Sequence, residues 1–149
     1  GRSILANPSM AEMKDRVNAE VKHREGWRPF APSMLEEEAS NLVFDSYPSP
    51  FMLLTFTVRP EWRDMLRASM HIDNTVRSQT VSRKTNPRYH AMIKKFFELT
   101  GVPAVLNTSF NDRGEPIVMT PQDAIRCYSS TGLDHLALGD FLISKESQG

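Results

Sequence analysis

The stretch PAVLNTSFN, Pro103 to Asn111, decides how this chain is read. Pro103-Ala104-Val105-Leu106 is a short apolar run that reads as a buried strand. It stops at amide and hydroxyl groups, and NTSFNDRGEP reads as a polar loop. Side chains alternate along an extended segment, so Asn107, Ser109 and Asn111 share one face while Thr108 and Phe110 take the other. Two readings follow. Such residues end strands as Asx or Ser/Thr turns. They also bind phosphate or carboxyl oxygens without adding charge, and in open α/β sheets ligands favour the carboxyl ends of strands. Residue chemistry alone leaves both open.

Outward from this stretch, helices and strands are interspersed. Asn86-Pro87 predicts a helix with Asn as cap and Pro at its first position; Tyr89, Met92, Ile93, Phe96 and Phe97 make its apolar stripe and Gly101 ends it. Thr120-Pro121-Gln122-Asp123 predicts another, running to about Thr131. HLALG and FLISK are two closing strands around a Gly139-Asp140 turn. Upstream, a helix is predicted over Ser9–Val21, capped by Ser9, with Met10, Met13, Val17 and Val21 along one stripe. A second is predicted over Ser33–Val43, with Ser33 as cap and acids in its first turn. Phe51–Val58 reads as a buried strand, Pro60–Ser69 as a helical turn or two, and Asn74–Ser82 as a strand with unusually polar residues. The pattern predicts an α/β or α+β class with a mixed sheet.

The 149 residues suit one domain with a proper core, and the chain is 40% hydrophobic. Eighteen basic residues balance eighteen acidic ones, which excludes a whole-protein basic field for nucleic acid. The charge is uneven, however. Phe30 to Val58 holds acids without Lys or Arg, whereas Arg59 to Lys95 is basic. That basic middle fits either solvated helix faces or a phosphorylated ligand. The lone Cys127 excludes an intramolecular disulfide and a Cys-rich zinc site, and fits a reducing, cytoplasmic setting. No apolar run approaches a membrane span, and no signal peptide is visible. The opening Gly1-Arg2-Ser3, without Met, suggests a piece of something longer.

Three groups could carry chemistry. In VKHREGWRPF, Lys22 and Arg24 are two apart and point the same way if the chain is extended, with Arg28 in phase. Together they would clamp a polyphosphate, or else form a solvated basic loop. Arg77 and Gln79 share one face of a predicted strand, where an arginine needs water, an acid or an anion. Asn107, Ser109 and Asn111 are the third group. Trp27 lies inside the cationic segment, where it could pack, stack on a base or cover a phosphate pocket. His23, His71, His90 and His135 are scattered, so no metal site is expected here, and neither a Walker-type nor a Gly-x-Gly-x-x-Gly loop occurs.

Three segments then carry a resemblance that covers nearly the whole chain in order. They are GRSILANP with MKDRVNAEVKHREGWRPFAPS, TVRSQTVSRKTNPRYHAMIKKFFELTGVPAVLNTSFNDRGEPIV, and TPQDAIRCYSSTGLDHLALGDFLI. They look like the C-terminal part of O-carbamoyltransferases that act on antibiotics and nodulation factors. The family's Lys-x-Arg stands as Lys22-His23-Arg24, and its Ser-x-Asn as Ser109-Phe110-Asn111. The resemblance implies a YrdC/Sua5-like twisted open mixed sheet with flanking helices, with residues 1–149 a single C-terminal domain. It also implies a Kae1-like N-terminal part of the same chain as partner, where iron or another metal would be bound and the carbamoyl group passed to an acceptor hydroxyl.

The domain itself would take carbamoyl phosphate and ATP, with Mg²⁺ accompanying the ATP, and make carbamoyl adenylate. Carried over residue by residue, Lys22 and Arg24 would bind phosphates, joined by Arg28. Arg77 would hold the carbamoyl or phosphate end. Asn107 and Ser109 would bind phosphate or adenylate, and Asn111 would shape the loop. Lys22, Arg24, Arg77 and Ser109 would be the catalytic set. Asp112-Arg113 departs from the neutral loop end expected there. Neither a membrane nor nucleic acid is an expected partner. A non-catalytic nucleotide- or RNA-binding module and a docking domain are the alternatives.

Overall fold

A computed structural model describes residues 1–145. Along the chain the elements are β1 (Ser3–Ala6), α1 (Met13–Val17), β2 (Ala31–Leu35), α2 (Ala39–Leu42), β3 (Phe56–Thr57), β4 (Thr75–Val76), β5 (Gln79–Val81), α3 (Pro87–Thr100), β6 (Ala104–Ser109), α4 (Pro121–Ser130), β7 (His135–Leu138) and β8 (Phe141–Ser144). Four strands form one sheet in the order β1-β6-β2-β5. β6 runs antiparallel to both of its neighbours, and β2 runs parallel to β5. The sheet is therefore mixed and the class α+β. β3 pairs with β4, and β7 with β8, as separate two-stranded ribbons.

Period-2 alternation along β6 explains the layers. Val105 faces α3, where it packs with Leu35, Val81 and the fully buried Ile93. Ala104 and Leu106 face the other side. There Ala104 joins Met34, Leu42, Val58 and Leu66, while Leu106 joins Ile4, Val17, Val21 and Tyr128. Fully burying one such side chain stabilises by about 1.5–3 kcal/mol, so these clusters fix the height and tilt of the site-bearing strand.

The locally capped elements form as expected. Thr120 accepts from the Asp123 backbone N–H and Asp123 reaches back to Thr120, a reciprocal capping box on α4. Gly101, at φ 75°, closes α3 in the left-handed region that favours glycine. Asn86 precedes α3 without a side-chain capping bond.

Other elements differ from expectation. Ser33 does not cap a helix; it lies within β2, all five residues of which are buried. Pro32 is tolerated there because pairing to β5 begins only at Ser33, so its missing N–H costs no bond on that side. The acids Glu36–Glu38 then form a 3₁₀ turn leading into α2. β1 was not anticipated; it is held as a strand by β6. In Phe51–Val58 only Phe56–Thr57 pairs, because Met52 at φ 56° breaks the extended run and leaves Phe51 and Leu53 exposed. The first helix starts at Met13 rather than Ser9, whose hydroxyl bonds Asn7 instead. Asn74–Ser82 splits into β4 and β5. β6 continues through Ser109, so the polar loop begins later than the sequence suggests. Among the described residues no helix is long and apolar enough to cross a membrane.

Candidate functional site

The site is built where the end of β6 meets the end of the first helix. After α1 the chain makes a π-helical turn, Asn18–Lys22, and then reverses at His23, which has φ 46° and ψ 45°. A non-glycine residue in this region is strained. Lys22 and Arg24 are thus not in phase along an extended strand. They nevertheless line the same cleft, because the left-handed pivot swings Arg24 back beside Lys22.

Lys22 is buried, and its ammonium is crowded with oxygens. Nζ lies 2.6 Å from the Ser109 carbonyl, 2.7 Å from Asn111 Oδ1, 2.9 Å from the Asn111 carbonyl and 3.2 Å from Ser109 Oγ. An ammonium has three donors, so every one is engaged. Ser109 Oγ donates to Asn111 Oδ1 at 2.6 Å, and Asn111 Nδ2 donates to the Glu115 carbonyl at 2.7 Å. Phe110 anchors the loop in the core between these two polar residues. Lys22 therefore clamps the Ser-x-Asn segment, and a ligand gains the ammonium only by replacing one of these oxygens. Burial, with the charge of Arg24 adding to it, pulls the Lys22 pKa down to about 8.

Arg24 is held from two directions. Its Nε donates to Asn18 Oδ1 at 3.0 Å, and its guanidinium lies 4.3 Å from the centre of the Phe30 ring. Arg28 stands 3.5 Å from Glu25. Lys22, Arg24, Arg28, Ser109, Asn111 and Arg113 share an open cleft of about 360 Å³, with Glu25 and Asp112 as its acids. The six charges comprise four cations and two anions, so the cleft is net cationic in a chain of zero net charge. Asp112 accepts the Arg113 backbone N–H at 2.5 Å and lies 3.9 Å from His23. Arg113 is a cleft residue that sequence reasoning did not select, although it sits two places after Asn111 in the same loop.

Asn107 lies one step back along β6, on the Ser109 face. It is tied into a polar row across three strands. Its Nδ2 donates to Ser33 Oγ at 2.8 Å and to Gln79 Oε1 at 3.1 Å, and Ser33 Oγ donates to Gln79 Oε1 at 2.7 Å. Tyr89, from the first turn of α3, lies against Ser33; burial pushes its phenol up to about 12 against the opposing pull of Ser33, and among the described residues its hydroxyl makes no well-formed hydrogen bond. This row holds the strand that carries Ser109. Gln79 was visible in the sequence, whereas Ser33 and Tyr89 were masked by their helix-cap and core readings. Arg77, exposed between β4 and β5, does not line the Lys22 cleft.

An α+β domain thus brings a strand end and a helix end together on one net cationic cleft that also holds the Ser109 hydroxyl and the Asn111 amide. Residues 1–145 match the family described as Carbamoyltransferase C-terminus. The chain belongs to that family. It is 51% identical over 147 residues to Nodulation protein NolO of Bradyrhizobium diazoefficiens, covering 97% of this chain and 27% of that protein. It is 50% identical over 150 residues to Nodulation protein NolNO of Sinorhizobium fredii, covering 98% and 22%. An uncharacterized protein of Methanocaldococcus jannaschii, MJ1058, is 42% identical over 145 residues, covering 97% and 24%. The chain thus spans about a quarter of the length of these relatives.

Proposed function

We propose that this domain binds ATP and carbamoyl phosphate and forms carbamoyl adenylate, which a further part of a longer protein transfers to an acceptor hydroxyl. The observation that carries this reading is the convergence of Lys22, Arg24, Arg28 and Arg113 with Ser109 and Asn111 on one cleft. Carbamoyl phosphate and water give carbamate and phosphate. A carbamate oxygen then attacks the α-phosphorus of ATP, the bond to the bridging oxygen breaks, and pyrophosphate leaves with that electron pair. Negative charge grows on the non-bridging and leaving oxygens, where preplaced cations and hydroxyl donors act. Arg24 and Arg28 offer planar forks to the phosphates, and Ser109 offers a neutral donor once its hydroxyl turns from Asn111 Oδ1 to the ligand. Carbamate carries its own negative charge, so no general base is required.

Mg²⁺ enters as part of the substrate, on the ATP phosphates. Among the described residues no three His, Cys, Asp or Glu side chains are grouped to hold an ion, and magnesium commonly binds through substrate phosphates plus one or two carboxylates. Asp112 and Glu25 are the carboxylates within the cleft. The names of the nodulation relatives support a nodulation-factor acceptor as one candidate, alongside an antibiotic. The N-terminal partner domain that the family resemblance implies agrees with the much greater length of those relatives.

The test is pyrophosphate release from ATP, Mg²⁺ and carbamoyl phosphate, with calorimetry of ATP binding alongside. Release that depends on carbamoyl phosphate and falls at least tenfold in Arg24→Ala is expected. The absence of both pyrophosphate release and ATP binding would overturn the reading.

A further inference from the structure

The loop that supplies the cleft arginines also presents an aromatic ring to solvent. Trp27 is 71% exposed, and the neighbouring Ile72 is 99% exposed. Large apolar side chains left uncovered together mark places where something docks. Arg24 and Arg28 line the cationic cleft, whereas Trp27 and Pro29 line a second, open cavity of about 400 Å³ together with Lys14, Met70, His71, Ile72 and Asp73. The two cavities are linked by contact: the Arg28 guanidinium, a wall of the first, is 5.8 Å from the centre of the Trp27 ring. One short loop therefore carries phosphate-binding forks and an adjacent, uncovered aromatic plane.

We propose that Trp27 is the stacking platform for the purine base of the nucleotide whose phosphates occupy the Lys22–Arg28 cleft. This rests on the ATP-binding reading above and assigns the half of the nucleotide that the cationic residues cannot recognise. Charge complementarity orients the ligand: its phosphates go to the cationic cavity, leaving the uncharged base to the apolar one. A base stacks on an indole through its whole face, needs no charge there, and contributes substantially when it does so.

The experiment compares ATP with inorganic tripolyphosphate, which has the phosphates and no base, by calorimetry on wild type, Trp27→Ala and Trp27→Phe. Wild type is expected to bind ATP more tightly than tripolyphosphate. Trp27→Ala is expected to weaken ATP binding about tenfold or more and to leave tripolyphosphate binding unchanged. Trp27→Phe is expected to retain most of the ATP affinity. In a Trp62→Phe background, AMP is expected to quench the remaining Trp27 fluorescence, and pyrophosphate is not. Wild-type ATP affinity in Trp27→Ala, or no quenching by AMP, overturns the stacking proposal while leaving the ATP-binding reading intact. Failure of the wild type to bind ATP overturns both. Loss of tripolyphosphate binding in Trp27→Ala would show that the ring serves the loop's fold, and would also overturn the stacking role.

Discussion

Replacing Lys22 with methionine sets two opposing influences against each other. Burial draws the ammonium pKa from 10.5 to about 8, while the oxygens of Ser109 and Asn111 hold its proton. At 1.36 kcal/mol per pH unit, that fall corresponds to about 3 kcal/mol; solvent on the open side of the cleft reduces it to about 2 kcal/mol. Folded Lys22 releases its proton near pH 8, whereas in the unfolded chain it is kept until about 10.5. Between those values the unfolded state binds more protons, so this group's contribution to stability rises with pH. Below pH 8 both states are protonated, and the cost of the buried charge is constant.

Urea unfolding of wild type and Lys22→Met across this range isolates the effect, since other titrating groups cancel in the difference. The wild type is expected to gain about 2 kcal/mol on the variant between pH 8 and 10.5. Near neutrality the variant is expected to be less stable by about 1–3 kcal/mol, because the loop oxygens lose a charged donor. A flat difference would refute the dominance of burial. A wild-type advantage that shrinks with pH would show that the oxygens win.

Arg28→Ala is expected to weaken ATP binding at least tenfold without changing the melting temperature, whereas Arg77→Ala, outside the cleft, stays within about twofold; calorimetry and thermal melts check both. Ile93→Ala removes a fully buried contact between α3 and the sheet and is expected to cost about 2–5 kcal/mol in chemical denaturation. Gly132→Ala would place a methyl group 2.5 Å from Glu20 Cβ; overpacking of this kind costs about 1–3 kcal/mol, readable as a lower urea midpoint.

What was legible in the sequence divides along local and non-local lines. α3, α4 and the β7–β8 hairpin declared themselves because their signals lie within a few residues: a capping box, Pro at the first turn, Gly with positive φ. β1 and β2 did not, because a strand of four or five residues is defined by its partners. Ser33 reads equally well as a cap until β5 and β6 are placed on either side of it. At the site, alternation correctly put Asn107 and Ser109 on one face. For Lys22 and Arg24 the residues converge, but through a π turn and a left-handed pivot instead of an extended strand. Asn107 and Gln79 were each singled out in the sequence, but their joining through Ser33 into one polar row was hidden because the three lie far apart in sequence and meet only across the sheet.

The two walls of the cleft stand 87 positions apart, as Lys22 and Ser109. The helix end that carries Lys22 forms from neighbours, but the oxygens it clamps arrive only with β6. During synthesis the N-terminal half leaves the ribosome with its lysine and arginines in place and with no opposite wall to complete the cleft. The complete cleft is therefore a late property of the nascent chain, and the loop clamp makes a finished sheet the condition for its assembly. A chain arrested before Ser109 would present a basic surface, whereas one that has paired β6 presents a site.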